Sequence, residues 1–288
     1  MILYDEKVKF LERQAQQIRQ SIIEMLLAAG SGHTAGPLGM TDIFTALYFH
    51  LLKHRPEDPR WDDRDRLILS NGHIAPVLYA TMAHAGYFPV SELVTLRKFG
   101  SRLQGHPHRE FLPALETSSG PLGSGLSQAV GMALADRLDR GRRSDRFFYC
   151  LTGDGELNCG QIWEAAMLAG REALHNLIVI VDRNNIQIDG FTETVMPLEP
   201  LKEKWESFGW HVQDIDGHNF ESIAEAVGHA KAVFNRPSCI IAHTIPSKGV
   251  PQFERQFEWH GKPPNAEEGA VALKELRSLS GRIKGEHE

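Results

Sequence analysis

The first candidate for chemistry is an acid between two glycines, Gly153-Asp154-Gly155, directly after an apolar run. The aspartate contributes no apolar packing to a hydrophobic core, and the two glycines lose more backbone entropy on folding than other residues do. The tripeptide therefore indicates a loop that binds a ligand. Asn184 follows a second apolar run, and 184 − 154 = 30 positions separate it from Asp154, which is about one strand–helix–strand unit. A right-handed crossover brings both loops to one edge of a parallel sheet. The two side chains are therefore expected to face each other.

Oxygen ligands of this kind suit a hard cation. Mg²⁺ takes carboxylate, amide and carbonyl oxygens and often shares its shell with substrate phosphates. Asp154, Asn184 and one nearby backbone carbonyl would supply part of that shell, and Gly153 and Gly155 would let the backbone approach a diphosphate. A Gly-Asp-Gly that stands alone is more often a tight turn, and it is the asparagine one unit later that favours a site.

The elements that position these loops follow from hydrophobic periodicity. Residues 5–29 have helical spacing, and Gly30 is a plausible terminator. Strands are predicted before the loops at 153 and 184 and at 209–217 and 237–244, and helices at 159–172 and 220–234. Apolar strands that alternate with helices predict a three-layer α/β/α fold with a mostly parallel sheet.

The domain organisation is predicted from composition. We expect one diphosphate-binding domain over 1–265 and a C-terminal extension over 266–288 that is partly helical or flexible. Residues 260–270 have the composition of a linker, and the charged tail 281–288 is expected to fray.

Bulk composition excludes several classes of function. The 288 residues carry a net charge of −6, which argues against nucleic acid and against an anionic membrane surface. No apolar run reaches membrane-spanning length. Cys150, Cys159 and Cys239 have no disulfide or metal spacing, so a reducing, cytoplasmic setting is expected.

Several ordered segments resemble the transketolase family of thiamine diphosphate-dependent enzymes. The pair Gly-Asp-Gly and Asn-Asn resembles the thiamine diphosphate-binding motif. The other matching segments, in the family's order, are 31–43, 69–80, 104–107, 117–135, 153–165, 182–190 and 259–265. The resemblance implies the N-terminal, diphosphate-binding part of a transketolase, which moves a two-carbon ketol unit from a ketose to an aldose.

The resemblance assigns ligands for the cofactor and its cation. It implies that Asp154, Asn184 and the backbone carbonyl of Ile186 hold Mg²⁺, with Ca²⁺ or Mn²⁺ as substitutes. The cofactor contacts that it implies are Gly120, Leu122, Gly153, Gly155, Asn184, Ile188, Lys248 and His260.

The resemblance also assigns substrate and interface residues. His33, His73, His106 and His260 lie in family-matching loops and are expected to be catalytic, because imidazoles hydrogen-bond sugar hydroxyls and accept protons near pH 7. The substrate-binding residues would be His33, His106 and Arg97, whose guanidinium suits a sugar phosphate. Glu164 is expected at a subunit interface.

The chain stops where full-length transketolases continue into a pyrimidine-binding domain. We therefore expect an N-terminal subunit of a split enzyme, inactive alone. Its partner would be a C-terminal, pyrimidine-domain subunit, and two copies of each would form a heterotetramer. Sugar phosphates of the pentose phosphate type are the implied substrates.

Four positions, in three segments, depart from the family pattern. Cys159 stands where a glutamate is common, Pro246 and Ser247 replace a Lys-Gly before Lys248, and Thr34 replaces a proline. The second departure removes a cation, so substrate preference is expected to differ from the ordinary reaction. Nothing in the sequence explains Thr34.

Three other interpretations remain open. A subunit of a 2-oxo acid dehydrogenase or decarboxylase has the same motif, but the four histidines disfavour it. A deoxyxylulose phosphate synthase-like enzyme shares the fold and the motif. A non-catalytic cofactor-binding remnant is disfavoured by the intact ligand set.

Overall fold

The fold is an open parallel sheet between two layers of helices. The computed structural model describes residues 3–141 and 144–278. The strands are β1 (Arg66–Leu69), β2 (Phe148–Gly153), β3 (Leu177–Arg183), β4 (Ile186–Gln187), β5 (Gly190–Phe191), β6 (His211–Asp216) and β7 (Ser238–His243). Five of them form one sheet in the order β1-β2-β3-β7-β6, and every neighbouring pair is parallel. β4 and β5 form a separate antiparallel hairpin.

Helices cover both faces of the sheet. They are α1 (Asp5–Ala29), α2 (Ala35–Gly39), α3 (Thr41–Ala46), α4 (Ala75–His84), α5 (Ser124–Arg140), α6 (Gly160–Arg171), α7 (Thr192–Val195), α8 (Leu201–Ser207), α9 (Phe220–Ala232) and α10 (Ala266–Ser278). Alternate strand residues enter two separate cores. Tyr149 and Ile178 pack with α1, α3, α4 and α9, whereas Cys150 and Val179 pack with α5, α6 and α8. The predicted three-layer α/β/α fold is therefore confirmed.

The first helix matches its prediction from end to end. α1 spans Asp5–Ala29 and ends at Gly30, whose φ of 62° lies in the left-handed region that glycine adopts without strain. Its periodic apolar residues, among them Ile18 and Ile22, are fully buried. The helix is stable because this stripe faces the core, since a helix of ordinary composition gains most of its stability from packing.

The expected linker at 260–270 is wrong in its second half. Residues from Ala266 onward form α10, where the acids Glu267 and Glu268 lie in the first turn and so favour a helix start. α10 packs against α1, with Leu276 fully buried and its carbonyl accepting a 2.7 Å hydrogen bond from Gln16. The boundary at residue 265 stays a prediction, and the tail 281–288 lies outside the described residues.

Candidate active site

The carboxyl ends of three adjacent strands meet at one edge of the sheet. Asn71 follows β1, Asp154 follows β2 and Asn184 follows β3. Gly153 and Asp182 are register partners on β2 and β3. The two loops predicted to meet therefore begin at the same level of the sheet, and the crossover that joins them is α6.

A cavity of about 310 Å³ opens at this edge. Most of the residues singled out from the sequence line it: His33, His73, His106, Gly120, Leu122, Gly153, Asp154, Gly155, Asn184, Ile186, Ile188 and His260. Five lining residues were not predicted: Asn71, Glu156, Asp182, Gln187 and Asp189. The structure thus brings the two proposed ligand loops and the four histidines to one place.

Three predicted site residues lie outside this cavity. Arg97 lines an adjoining cavity of about 370 Å³, to which His106 also contributes. Lys248 is buried, and its backbone carbonyl accepts a 3.1 Å hydrogen bond from Arg19. Glu164 is exposed on α6.

The Asp154 carboxylate is held by hydrogen bonds from its own loop and from the next one. Its Oδ1 accepts from the Gly155 amide at 2.7 Å, and its Oδ2 accepts from the Asn185 amide at 2.7 Å. Arg183 also donates to Oδ2, at 3.1 Å. Burial nevertheless raises the pKa of Asp154 to about 6, since the guanidinium and the amides only partly offset the loss of hydration.

Asn184 is oriented by Asp182 on the strand that precedes it. Asn184 Nδ2 donates to Asp182 Oδ2 at 2.8 Å, and Asn184 Oδ1 accepts from the Ile186 amide at 3.1 Å. Thr244 donates to the other oxygen of Asp182. Burial and the neighbouring Asp154 carboxylate together raise the pKa of Asp182 to about 7.

Glu156 fixes three loops at the floor of the cavity. Its carboxylate accepts hydrogen bonds from the Ser70 hydroxyl at 2.5 Å and from the backbone amides of Gly123 at 2.5 Å and Gly153 at 3.0 Å. Burial raises its pKa. The signal available in the sequence was an acid two residues after Asp154, but nothing there indicated its partners.

Three of the four histidines form a compact cluster. The ring centroids of His33 and His73 are 4.8 Å apart, those of His73 and His260 are 5.1 Å apart, and those of His33 and His260 are 5.6 Å apart. Burial, the His260 ring and the Arg97 charge lower the pKa of His33 to about 4. Burial also lowers the pKa of His73, His106 and His260. The cluster is therefore neutral at pH 7.

Several buried polar atoms at the cavity have no partner in the described structure. They are both amide atoms of Asn71, His33 Nδ1 and Gln187 Nε2. A buried polar atom without a hydrogen bond costs free energy, so such a group calls for a ligand or water. All three residues line the cavity.

The donor set fits a hard divalent cation held jointly with a bound anion. Among residues 3–141 and 144–278, no group of three or more His, Cys, Asp or Glu side chains could hold a metal by itself. A cation here would instead take the Asp154 carboxylate, the Asn184 amide oxygen and the Ile186 carbonyl, and complete its shell with ligand oxygens. The acidic floor would repel a free diphosphate, so the cation and the diphosphate require each other.

Cys159 has no sign of reactivity. Burial and the nearby Glu156 carboxylate raise the pKa of its thiol. Cys150 and Cys239 are buried in the core, and none of the three is bonded to another cysteine.

No helix in the described part of the chain is long and apolar enough to cross a membrane.

Comparison with known proteins gives one consistent family. Residues 11–279 match the family described as transketolase, thiamine diphosphate binding domain. The 6-deoxy-6-sulfo-D-fructose transketolase subunit SqwG of Clostridium sp. (strain MSTE9) is 44% identical, over 92% of this chain and 96% of its own length. An apulose-4-phosphate transketolase subunit of Phocaeicola vulgatus is 37% identical, over 98% of this chain and 99% of its own length.

Solved structures agree with this assignment. The transketolase of Campylobacter jejuni superimposes with a TM-score of 0.88 at 36% identity, and the match covers 98% of this chain. The same match covers 43% of the C. jejuni chain. This chain therefore spans less than half of a single-chain transketolase and nearly all of the relatives named as subunits.

Proposed function

The chain belongs to the transketolase family, as its thiamine diphosphate-binding domain, and on that premise we propose that it is the N-terminal subunit of a two-chain transketolase. The complete enzyme would transfer a two-carbon ketol unit from a ketose to an aldose. The observation that carries the proposal is the meeting of Asp154, Asn184, Ile186 and the His33–His73–His260 cluster in one cavity. A diphosphate site beside a cluster of neutral imidazoles suits a cofactor-bound sugar.

The proposed cation is Mg²⁺, with Ca²⁺ or Mn²⁺ as substitutes. Asp154, Asn184 and the Ile186 carbonyl would hold it, and Gly153 and Gly155 would lie along the diphosphate. When bound, thiamine diphosphate supplies the carbanion chemistry that the protein itself lacks. Ile188 and Leu122 are exposed and line the same cavity. Ile188 would pack on the cofactor's rings, and Leu122 would contact the aminopyrimidine through its backbone.

The histidines would bind the sugar and move protons. His33, His73 and His260 are neutral, so each ring has one donating and one accepting nitrogen. The unpartnered His33 Nδ1 is available to a substrate hydroxyl. A neutral histidine can accept a proton from a hydroxyl and return it within the same site, which is the general base and acid role that ketol transfer requires.

Arg97 is the proposed contact for an anionic end of the substrate. Its φ of 58° is strained for a residue with a side chain. A Cβ at Gly105 would lie 3.0 Å from the Arg97 guanidinium carbon, so a larger residue at this position would push against the guanidinium. The adjoining cavity also contains His108 and Ser119. Because the names of the two relatives above include a sulfonated sugar and a sugar phosphate, we propose an anionic ketose as donor.

A second chain would complete the site. Relatives of nearly the same length are named as subunits, and two exposed apolar residues line the cavity, with Ile188 70% exposed and Leu122 39% exposed. We propose that a pyrimidine-domain subunit covers these residues in a heterotetramer of two copies of each chain. On α6, Glu164 and the exposed Met167 share one helical face, which would form part of the same interface.

The proposed setting is the cytoplasm, where the three cysteines would remain reduced. Lys248 does not line the cavity. We therefore propose that it acts on the cofactor indirectly, by holding the loop to which it belongs.

One experiment separates this proposal from the alternatives. The chain is co-expressed with a pyrimidine-domain subunit, and the complex is assayed with 6-deoxy-6-sulfofructose, apulose 4-phosphate, xylulose 5-phosphate and pyruvate. Ketol transfer from an anionic ketose by the complex, and not by either chain alone, is expected. Release of carbon dioxide from pyruvate without ketol transfer would instead identify a decarboxylase, and turnover by the isolated chain would refute the two-chain proposal.

A further inference from the structure

Arg183 is a positively charged residue beside the proposed cation site, where its charge would be expected to repel a bound metal ion. It is the last residue of β3, it is 3% exposed, and it directly precedes Asn184. Its guanidinium donates to Asp154 Oδ2 at 3.1 Å and to Thr192 Oγ1 at 2.9 Å. A buried cation in contact with a proposed cation ligand requires an explanation.

The contacts of Asp154 are unequal on its two oxygens. Oδ2 accepts from both Arg183 and the Asn185 amide, whereas the only donor to Oδ1 within the described residues is the Gly155 amide. Each carboxylate oxygen has about two lone-pair sites. Arg183 therefore fills Oδ2 and leaves a lone pair on Oδ1, which fixes Asp154 for coordination through a single oxygen.

The positive charge of Arg183 is offset on its other side. Its Nη2 donates to Glu193 Oε1 at 2.7 Å and to Glu199 Oε1 at 2.9 Å. The side chains of Glu193 and Glu199 are 42% and 57% exposed, so they remain hydrated and carry their charge at little cost. One guanidinium is thus surrounded by three carboxylates, and the cluster remains favourable to a second cation.

We propose that Arg183 is a positioning residue for Asp154, and that Glu193 and Glu199 set the affinity of the cation site by offsetting the Arg183 charge. The inference rests on the cation site proposed above. Without the two glutamates, the guanidinium would bind Asp154 more strongly and would repel a divalent cation at Oδ1. Both glutamates also accept backbone hydrogen bonds, Glu193 from the Leu198 amide at 3.1 Å and Glu199 from the Leu201 amide at 2.8 Å, and a glutamine side-chain oxygen can accept the same bonds.

The test compares paired variants of the full chain. The double variant Glu193→Gln/Glu199→Gln removes both charges, and Glu203→Gln/Glu206→Gln on α8 removes two exposed acids that have no contact with Arg183. Mn²⁺ binding is measured by electron paramagnetic resonance in the presence of thiamine diphosphate, and folding is followed by thermal denaturation. We expect the first double variant to remain folded at the assay temperature and to bind Mn²⁺ about tenfold more weakly than the parent, and the control to match the parent within about twofold.

A third substitution, Arg183→Met, tests whether the two glutamates act by offsetting the Arg183 charge or by another effect on the cation site. In an Arg183→Met background, the same two glutamine substitutions should weaken Mn²⁺ binding by less than about threefold, because the charge that they offset is gone. Equal Mn²⁺ affinity of the parent and Glu193→Gln/Glu199→Gln would overturn the inference, as would a full tenfold loss in the Met background. If Arg183→Met does not fold, the first comparison still decides. A parent chain that binds no Mn²⁺ would count against the proposed cation site itself.

Discussion

The backbone amide of Asp154 donates a 3.1 Å hydrogen bond to the carbonyl oxygen of Asp182 on the neighbouring strand. This bond continues the β2–β3 ladder by one residue into the loop. It places the Asp154 side chain beside the loop that carries Asn184, whose amide is in turn held by the Asp182 carboxylate. The positions of the two proposed cation ligands are therefore set by regular sheet geometry, and neither depends on a flexible loop.

Replacing Asp182 with asparagine should make the folded chain more stable at high pH and weaken its binding of the cation-loaded cofactor. Burial raises its pKa from 3.8 to about 7, so its carboxyl destabilises the fold progressively as pH rises between those values. Asp182→Asn removes the cost of ionising this buried carboxyl and keeps a side chain of the same size. In the absence of divalent cations, the variant should therefore be more stable than the parent at pH 8, by about 1 to 3 kcal/mol. Urea denaturation at pH 5 and pH 8 measures this difference.

The same variant should bind the cation-loaded cofactor more weakly, because the charged acceptor that orients Asn184 is lost. Calorimetric titration with thiamine diphosphate and Mg²⁺ provides that measurement. A variant that is less stable than the parent at pH 8 would show that the carboxylate stabilises the folded chain.

His33 should make the chain sensitive to acid. Its folded-state pKa of about 4 lies below the unfolded value of 6.5, so between these values the unfolded chain binds a proton that the folded chain does not. Stability therefore falls as pH is lowered from 6.5 to 4. His33→Gln should reduce that fall by about 2 kcal/mol, as measured by urea midpoints at pH 7 and pH 4.5. His229→Gln, at an exposed position on α9, serves as the control and should follow the parent.

Two helical glycines should respond in opposite directions to alanine. A Cβ at Gly170 on α6 would lie 1.8 Å from the Phe208 carbonyl oxygen, whereas a Cβ at Gly131 on α5 would have nothing within 4 Å. Gly170→Ala should therefore lower the free energy of unfolding by about 3 kcal/mol or more, and Gly131→Ala should raise it by about 0.5 to 1 kcal/mol. Thermal denaturation of both variants checks the pair, and destabilisation by Gly131→Ala would show a contact that the described structure lacks.

The sequence was most informative where one physical rule determined the outcome. The periodic apolar residues of α1 and the continuous apolar runs of β2, β3 and β7 led directly to the three-layer fold. The spacing of Asp154 and Asn184 was enough to predict that they meet, because a right-handed crossover allows only one arrangement.

The rest of the site depends on contacts between residues far apart in the chain. Glu156 accepts from Ser70, 86 positions away, and Asp182 accepts from Thr244, 62 positions away. No local pattern indicates such a pair. The sequence did not indicate a role for Arg183, because an arginine at the end of a strand is usually a solvated charge. Its burial and its hydrogen bond to Asp154 are known only from the structure.

The prediction of a linker at 260–270 was wrong because it relied on the glycine and proline content of this segment and missed a helix cap at Asn265. The prolines at 263 and 264 do interrupt the chain, but Asn265 accepts a 2.9 Å hydrogen bond from the Glu268 amide, and Glu268 accepts from the Asn265 amide at 2.8 Å. This reciprocal pair is a capping box, which begins a helix.

The cation dependence of cofactor binding decides whether Asp154 holds a metal at this edge of the sheet. Calorimetric titration of the full chain with thiamine diphosphate is carried out with Mg²⁺ and with a chelator, for the parent, Asp154→Asn and the exposed control Asp139→Asn. We expect the parent and the control to bind the cofactor only with Mg²⁺, and Asp154→Asn to lose at least about a hundredfold in affinity. Equally tight binding by the parent with and without Mg²⁺, or by Asp154→Asn and the parent, would contradict a cation held at this edge of the sheet.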